Sequence, residues 1–213
     1  MKVGILGSGD VGKTLARGFA AKGHDVKIGS RDPAKLKDFA KGVKGKVSPG
    51  TFAETAVHGE VVVLATLGAA VEEAVGLAGV TNFDGKVVLD ATNPLDFSKG
   101  MPPSNFLSPP DSLGARVQKK LPKAKVVKVF NTVPNALMFE PKVPGGAPEM
   151  LICGNDAGAK KQTELVLREF GWPGAIDIGG IQEAAWLEAI VPLWVRVCVA
   201  VGNWNVTWKV VKG

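Results

Sequence analysis

The chain has 213 residues, of which 46% are hydrophobic and 22% charged, and its formal net charge is +6. That length and composition describe one large globular domain, or one domain with a small appendage, with enough apolar material for a real core. The positive charge is spread over many single lysines, without an arginine-rich block or basic–aromatic interleaving; this argues against nucleic acid and suits small anionic ligands.

Met1 to Leu6 reads as a short buried strand. Gly7-Ser8-Gly9-Asp10-Val11-Gly12 follows at once, then an amphipathic run from Lys13 to Lys22 carrying Leu15 and Phe19, then a second apolar run, Asp25 to Gly29. Strand, glycine turn, helix, strand is the context in which a Gly-x-Gly-x-x-Gly string points to a dinucleotide. In that reading Gly7 permits the tight turn, Gly9 lets a pyrophosphate approach the backbone, and Gly12 lets the helix pack closely on the strand. The helix offers its free N–H groups and positive end to the phosphates. Ser8, Asp10 and Val11 complete the cofactor-binding turn, with Asp10 expected to cap the helix. The competing reading is an ordinary glycine-rich strand-to-helix turn.

The second strand ends in Ser30-Arg31, where NAD-preferring folds place an acid on the ribose 2′-hydroxyl. A hydroxyl and a guanidinium suit a 2′-phosphate. Asp32-Pro33 opens a helix, Asp32 as N-cap and Pro33 at its first position. Lys35, one helical turn from Arg31, can lean toward the same spot. The expected cofactor is NADP.

A helix is expected over Pro33 to Lys41. The capping-box pattern Thr51-Phe52-Ala53-Glu54 then starts a short helix over 52–58, stopped by Gly59. Glu60 to Ala65 is a third strand, apolar on both faces as an interior parallel strand is, and Thr66-Leu67-Gly68 is its carboxyl-end loop. A helix from Ala69 to Ala78 precedes strands at Lys86–Ala91, Lys125–Phe130 and Met150–Cys153. The alternation predicts an α/β fold: a Rossmann-type doubly wound parallel sheet over residues 1–154, with ligand at the carboxyl ends of the strands. Thr66, Leu67, Asn93, Asn131, Thr132, Pro134 and Asn135 therefore join the candidate site. Residues 92–111, rich in Pro, Ser and Asn, are too long for a plain connection; they read as a substrate wall or lid, or as a surface excursion. A helix spans 112–121.

Beyond Gly154 the pattern changes to a smaller C-terminal α/β or helical region, residues 155–213. It holds a helix from Asp156 to Phe170, a strand from Ala175 to Ile178 and a long apolar helix from Gln182 to about Asn203, in which Pro192 implies a kink or a boundary. Trp186, Trp194, Trp204 and Trp208 crowd into it, as core or as dimer interface. Cys153 and Cys198 lie in apolar stretches and read as buried free thiols. The N-terminus enters a strand without a charged leader. The longest apolar run, Ala184 to Val201, contains Glu188, Pro192 and Arg196, so it reads as a buried helix. A cytoplasmic protein without membrane or nucleic-acid partners is expected.

The glycine turn, Gly29-Ser30-Arg31, Asp90-Ala91-Thr92-Asn93-Pro94, Phe130-Asn131-Thr132 and the tail Glu183-Ala184-Ala185-Trp186-Leu187-Glu188 together resemble the NADPH-dependent F420 reductase family, and the reductase domain of the STEAP metalloreductases is similar. The resemblance covers essentially the whole chain. It implies NADP held by the turn at its pyrophosphate and by Ser30, Arg31 and Lys35 at its 2′-phosphate. Loops matching Thr66–Leu67 and Asn131–Asn135 would flank the nicotinamide. The C-terminal piece would help close the site and form a homodimer. Hydride would pass directly between the nicotinamide and a small-molecule redox partner: the deazaflavin F420, or a flavin such as FMN or FAD.

That chemistry matches the residue inventory. Only His24 and His58 are present, neither after a strand, and there is no tyrosine. No Ser/His/Asp arrangement or metal-binding cluster is visible. Direct hydride transfer needs positioning more than an acid or base, so no catalytic side chain and no metal are assigned. The alternative is an NADP-binding sensor or interaction protein without turnover.

Overall fold

In the computed structural model, residues 1–146, 148–211 and 213 are described. The main sheet is built from β1 (Lys2–Leu6), β2 (Asp25–Gly29), β3 (Lys46–Gly50), β4 (Val61–Leu64) and β5 (Val87–Asp90). A small antiparallel hairpin follows, β6 (Leu95–Asp96) with β7 (Ser104–Asn105), before β8 (Lys125–Lys128), β9 (Met150–Gly154) and β10 (Ala175–Asp177) return to the main sheet. The order across that sheet is β10-β9-β8-β5-β4-β1-β2-β3.

Successive strand residues face opposite layers, which is why these strands are apolar on both sides. Val61, Val63, Leu89 and Val127 point to a layer completed by Leu15 and Phe19 of α1 (Asp10–Ala21). Val166 and Leu167 of α6 (Ala157–Glu169) lie in the same layer. Val62, Leu64, Val88 and Val126 point the other way. They meet Ala56 of α3 (Phe52–His58), Val75 of α4 (Val71–Ala78), Val117 of α5 (Leu113–Lys120) and Leu187 of α7 (Ala184–Val201). The short α2 (Lys37–Gly42) leans on β3.

Most strands are parallel, as the alternation predicts, but β9 runs antiparallel to β8, and β10 is parallel to β9. A parallel return needs a crossover helix. The described residues between 129 and 149 supply one 3-10 turn, Asn135–Leu137, and no longer helix, so the chain re-enters the sheet at the end it left. β10 lies beyond residue 154 and completes the same sheet.

Strand β3 has no clear signature: Lys46, Ser48 and Pro49 break the apolar pattern. It forms because it is an edge, pairing only with β2, and an edge tolerates a proline. α1 starts at Asp10, not after Gly12, with Gly9 at the N-cap and no side-chain cap. Asp10 therefore does not cap; it sits in the first turn, where its charge complements the helix dipole. The capping box on α3 forms as expected: Glu54 N–H donates to Thr51 Oγ1 at 3.2 Å and Thr51 N–H to Glu54 Oε2 at 2.8 Å.

α7 is continuous through Pro192. The ring removes an N–H but does not end the helix; the carbonyl it deprives belongs to Glu188. Asn105 Nδ2 on β7 donates to that carbonyl instead, at 2.9 Å. By length and composition Ile181–Val201 is apolar enough to cross a membrane; in the fold α7 packs on α5 and β7. Trp172 belongs to the core, but the tail tryptophans do not: Trp194 and Trp208 are half-buried. Trp186 and Trp204 are 62% and 51% exposed.

Candidate functional site

A cavity of about 780 Å³ opens along the carboxyl ends of β1, β2, β4 and β5. Its floor is the glycine turn. Gly7 has φ +130° and lies against Ala65, where a Cβ would overlap the Ala65 carbonyl. A Cβ on Gly12 would overlap the Gly7 carbonyl, so α1 can start this close to β1 only with glycine there. A Cβ on Gly9 would stand in open space with nothing within 4 Å. Gly9 thus keeps clear room over the start of a helix, which fits a pyrophosphate at that position.

One end of the cavity is lined by Ser30, Arg31, Asp32 and Lys35. Ser30 Oγ accepts from the Asp32 N–H at 3.0 Å, which fixes the turn after β2. Asp32 caps the 3-10 turn Pro33–Leu36 by accepting from the Ala34 N–H at 3.2 Å. Its other oxygen is 3.6 Å from Lys35 Nζ, a largely exposed pair of little energetic weight. Arg31 is exposed and lines the cavity. Phe52 and Leu77 stand beside it on α3 and α4. Both were hidden in the sequence, because they read as ordinary apolar positions of short helices.

The other end is lined by Thr66, Leu67, Thr92 and Asn93, with Leu95 and Phe97 of the 92–111 excursion as a wall. That excursion is therefore part of the site and not a plain surface loop. A Cβ on Gly68 would overlap the Asn93 carbonyl, so the loops after β4 and β5 touch directly. Thr66 Oγ1 is buried without a hydrogen-bond partner.

Gly7, Ser8, Gly9, Asp10, Val11, Ser30, Arg31, Lys35, Thr66, Leu67 and Asn93 are thus brought together on one cavity. Gly12, Asn131, Thr132, Pro134 and Asn135 are not on its lining. Gly12 packs behind the turn. Asn131 and Thr132 are buried behind the far end, Pro134 is buried next to them, and Asn135 begins a 3-10 turn. Asn131 still reaches the site through Asn93: its Nδ2 donates to Asn93 Oδ1 at 3.0 Å and to the Leu187 carbonyl at 2.9 Å, while Asn93 Nδ2 donates to the Asn131 carbonyl at 2.9 Å. Phe130, at φ 66°, makes the left-handed turn that delivers Asn131 from β8. His24 is buried, 2.8 Å from Glu169, and His58 bonds the Asp25 carbonyl at 3.0 Å, so neither lies on the cavity.

Behind this end lies a charged cluster that sequence reasoning missed. Lys128 Nζ is 3.0 Å from Asp90 Oδ2 and 2.7 Å from Glu188 Oε1, and all three side chains are buried. Glu188 also accepts the N–H groups of Leu113 and Gly114 at the start of α5, at 2.8 and 2.9 Å. Asp90 accepts the N–H and O–H of Thr92, at 2.9 and 2.6 Å. Burial opposes the charge on Lys128, but the two carboxylates outweigh it and hold its pKa above the usual lysine value. The available signal was three single charges, each alone in an apolar stretch.

Cys153 lies in the same layer, and burial pushes its thiol up to about 12. An unfolded thiol ionises near ~8.5. Between those values the unfolded chain gives up a proton that the folded chain keeps, so stability falls as pH rises. Cys153→Ala should remove a slope of up to about 1.4 kcal/mol per pH unit above pH ~9. Urea unfolding of both proteins across that range measures it.

Against known proteins, residues 2–94 match the family model described as NADP oxidoreductase, coenzyme F420-dependent. The F420-dependent NADP reductase of Methanocaldococcus jannaschii is 32% identical, over 91% of this chain and 90% of that protein. The metalloreductase STEAP3 of Rattus norvegicus is 31% identical over 91% of this chain, which spans 38% of that longer protein. Among solved structures, a candidate F420-dependent NADP-reductase from Arthrobacter sp. FB24 superposes with a TM-score of 0.95 at 40% identity, covering all of both chains.

Proposed function

Because the chain belongs to the F420-dependent NADP oxidoreductase family, we propose that its cavity brings NADP together with F420 for direct hydride exchange, a flavin (FMN or FAD) being the alternative partner. It is an NADP-dependent oxidoreductase. The observation that carries the site assignment is the continuity of one cavity from the glycine turn, past Ser30 and Arg31, to the loops at Thr66 and Asn93. The bound cofactors supply the chemistry, a hydride moving between nicotinamide C4 and the deazaflavin ring.

The protein's part is to bind, orient and exclude water. The turn Gly7–Gly12 would hold the pyrophosphate. Ser30, Arg31 and Lys35 would hold the 2′-phosphate, with Phe52 and Leu77 against the adenine. Thr66, Leu67 and Asn93 would face the nicotinamide, supported from behind by Asn131, Thr132, Pro134 and Asn135. No side-chain acid or base is needed. In this arrangement residues 1–154 bind the dinucleotide, and residues 155–213 close the site and form a homodimer. Trp186 and Leu193, two turns apart on one exposed side of α7, give such a dimer an apolar face. A cytoplasmic setting with a small-molecule redox partner fits these substrates.

The test is NADPH oxidation followed at 340 nm with F420, FMN and FAD in turn. Turnover fastest with F420 is expected. NADPH binding without oxidation by any of the three would instead mark a sensor.

A further inference from the structure

Pro192 lies in the middle of α7, and the carbonyl it leaves without a helical donor is that of Glu188. Asn105 Nδ2 takes that carbonyl at 2.9 Å. One turn further along, Arg196 Nη1 donates to the Pro103 carbonyl at 3.2 Å and to the Pro192 carbonyl at 2.9 Å. The bonds from Asn105 to Glu188 and from Arg196 to Pro103 hold the returning arm of the β6–β7 hairpin on α7. In the hairpin register Asn105 stands opposite Leu95, a residue of the cavity wall. Asn105 Oδ1 is buried without a partner, so the Glu188 carbonyl is what orients this amide. A proline that disfavours its own helix thus supplies the anchor for the wall at the acceptor end.

We infer that Pro192 and Asn105 are positioning residues for the second substrate: the proline frees the Glu188 carbonyl, Asn105 docks on it, and the Leu95–Phe97 wall is thereby set for a planar tricyclic acceptor. This rests on the hydride-transfer reading above. Neither residue touches the phosphate turn, so the anchor acts on the acceptor and not on NADPH.

Pro192→Ala tests it well, because alanine is a far better helix residue and folding is not at risk. The restored N–H competes with Asn105 for the Glu188 carbonyl. The expected result is an unchanged or higher thermal midpoint, faster amide hydrogen exchange over residues 95–106, and unchanged NADPH affinity. With F420 or FMN as acceptor, kcat/KM should fall about tenfold or more, the scale of a small misplacement far from the chemistry. Asn105→Ala should do the same to exchange and to kcat/KM, at some cost in thermal midpoint because the Glu188 carbonyl then has no donor, and the double variant should be no worse than either single one in kcat/KM, since both break one contact. Unchanged exchange over 95–106 in Pro192→Ala overturns the anchor. If neither F420, FMN nor FAD draws hydride from NADPH in the unaltered protein, the hydride-transfer reading falls, while the exchange measurement still decides the anchor.

Discussion

Replacing Lys128 by methionine is expected to destabilise the fold by about 3–5 kcal/mol, the usual consequence of removing one partner from a buried charge cluster. The side chain is wholly buried between Asp90 and Glu188, at 3.0 and 2.7 Å. Without it two carboxylates face each other in a dry layer. They retain only the N–H groups of Leu113 and Gly114, and Thr92. Against a typical total of roughly 5–15 kcal/mol, that loss is a large share. Adding Glu188→Gln should restore part of the stability, since a single carboxylate then remains, held by the Thr92 N–H and O–H. Urea unfolding of the unaltered protein and the two variants measures both effects.

The second large effect is on cofactor choice. Arg31→Ala with Lys35→Ala should weaken NADPH by roughly 2 kcal/mol, about thirtyfold, and leave NADH nearly unchanged. Arg31 should carry most of this. Its planar donors match a phosphate, whereas Lys35 is 80% exposed and already near Asp32. Raised salt should reduce the preference for NADPH, because both cations are open to solvent. Calorimetric titration with the two nucleotides at fixed salt decides the matter; equal affinities in the unaltered protein would remove the 2′-phosphate assignment.

The parts of this molecule governed by local rules were legible in the sequence. The glycine turn, the Asp32 cap, the Thr51–Glu54 box and the interior strands each follow from a few adjacent residues, and all appear in the fold. What was not legible depends on distant partners. β3 is a strand only because β2 lies beside it. β9 reverses direction because the described residues before it offer a 3-10 turn and no crossover helix. Lys128, Asp90 and Glu188 meet only once two strands and the C-terminal helix are assembled. The same division holds in the site. Ser30 and Arg31 could be placed by counting from the turn, but the role of Asn105 required the fold, since its partner is a backbone carbonyl far along the chain.

The two ends of the main sheet bear on how copies of the chain can associate. At one end β3 carries Pro49, which has no N–H to offer a further strand. At the other β10 spans three residues, too short a ladder to nucleate growth. A neighbouring molecule therefore cannot add itself as another strand, and encounters are left to side-chain surfaces such as α7. The sheet is thereby resistant to fibril-like stacking, whatever meets the exposed side chains of α7.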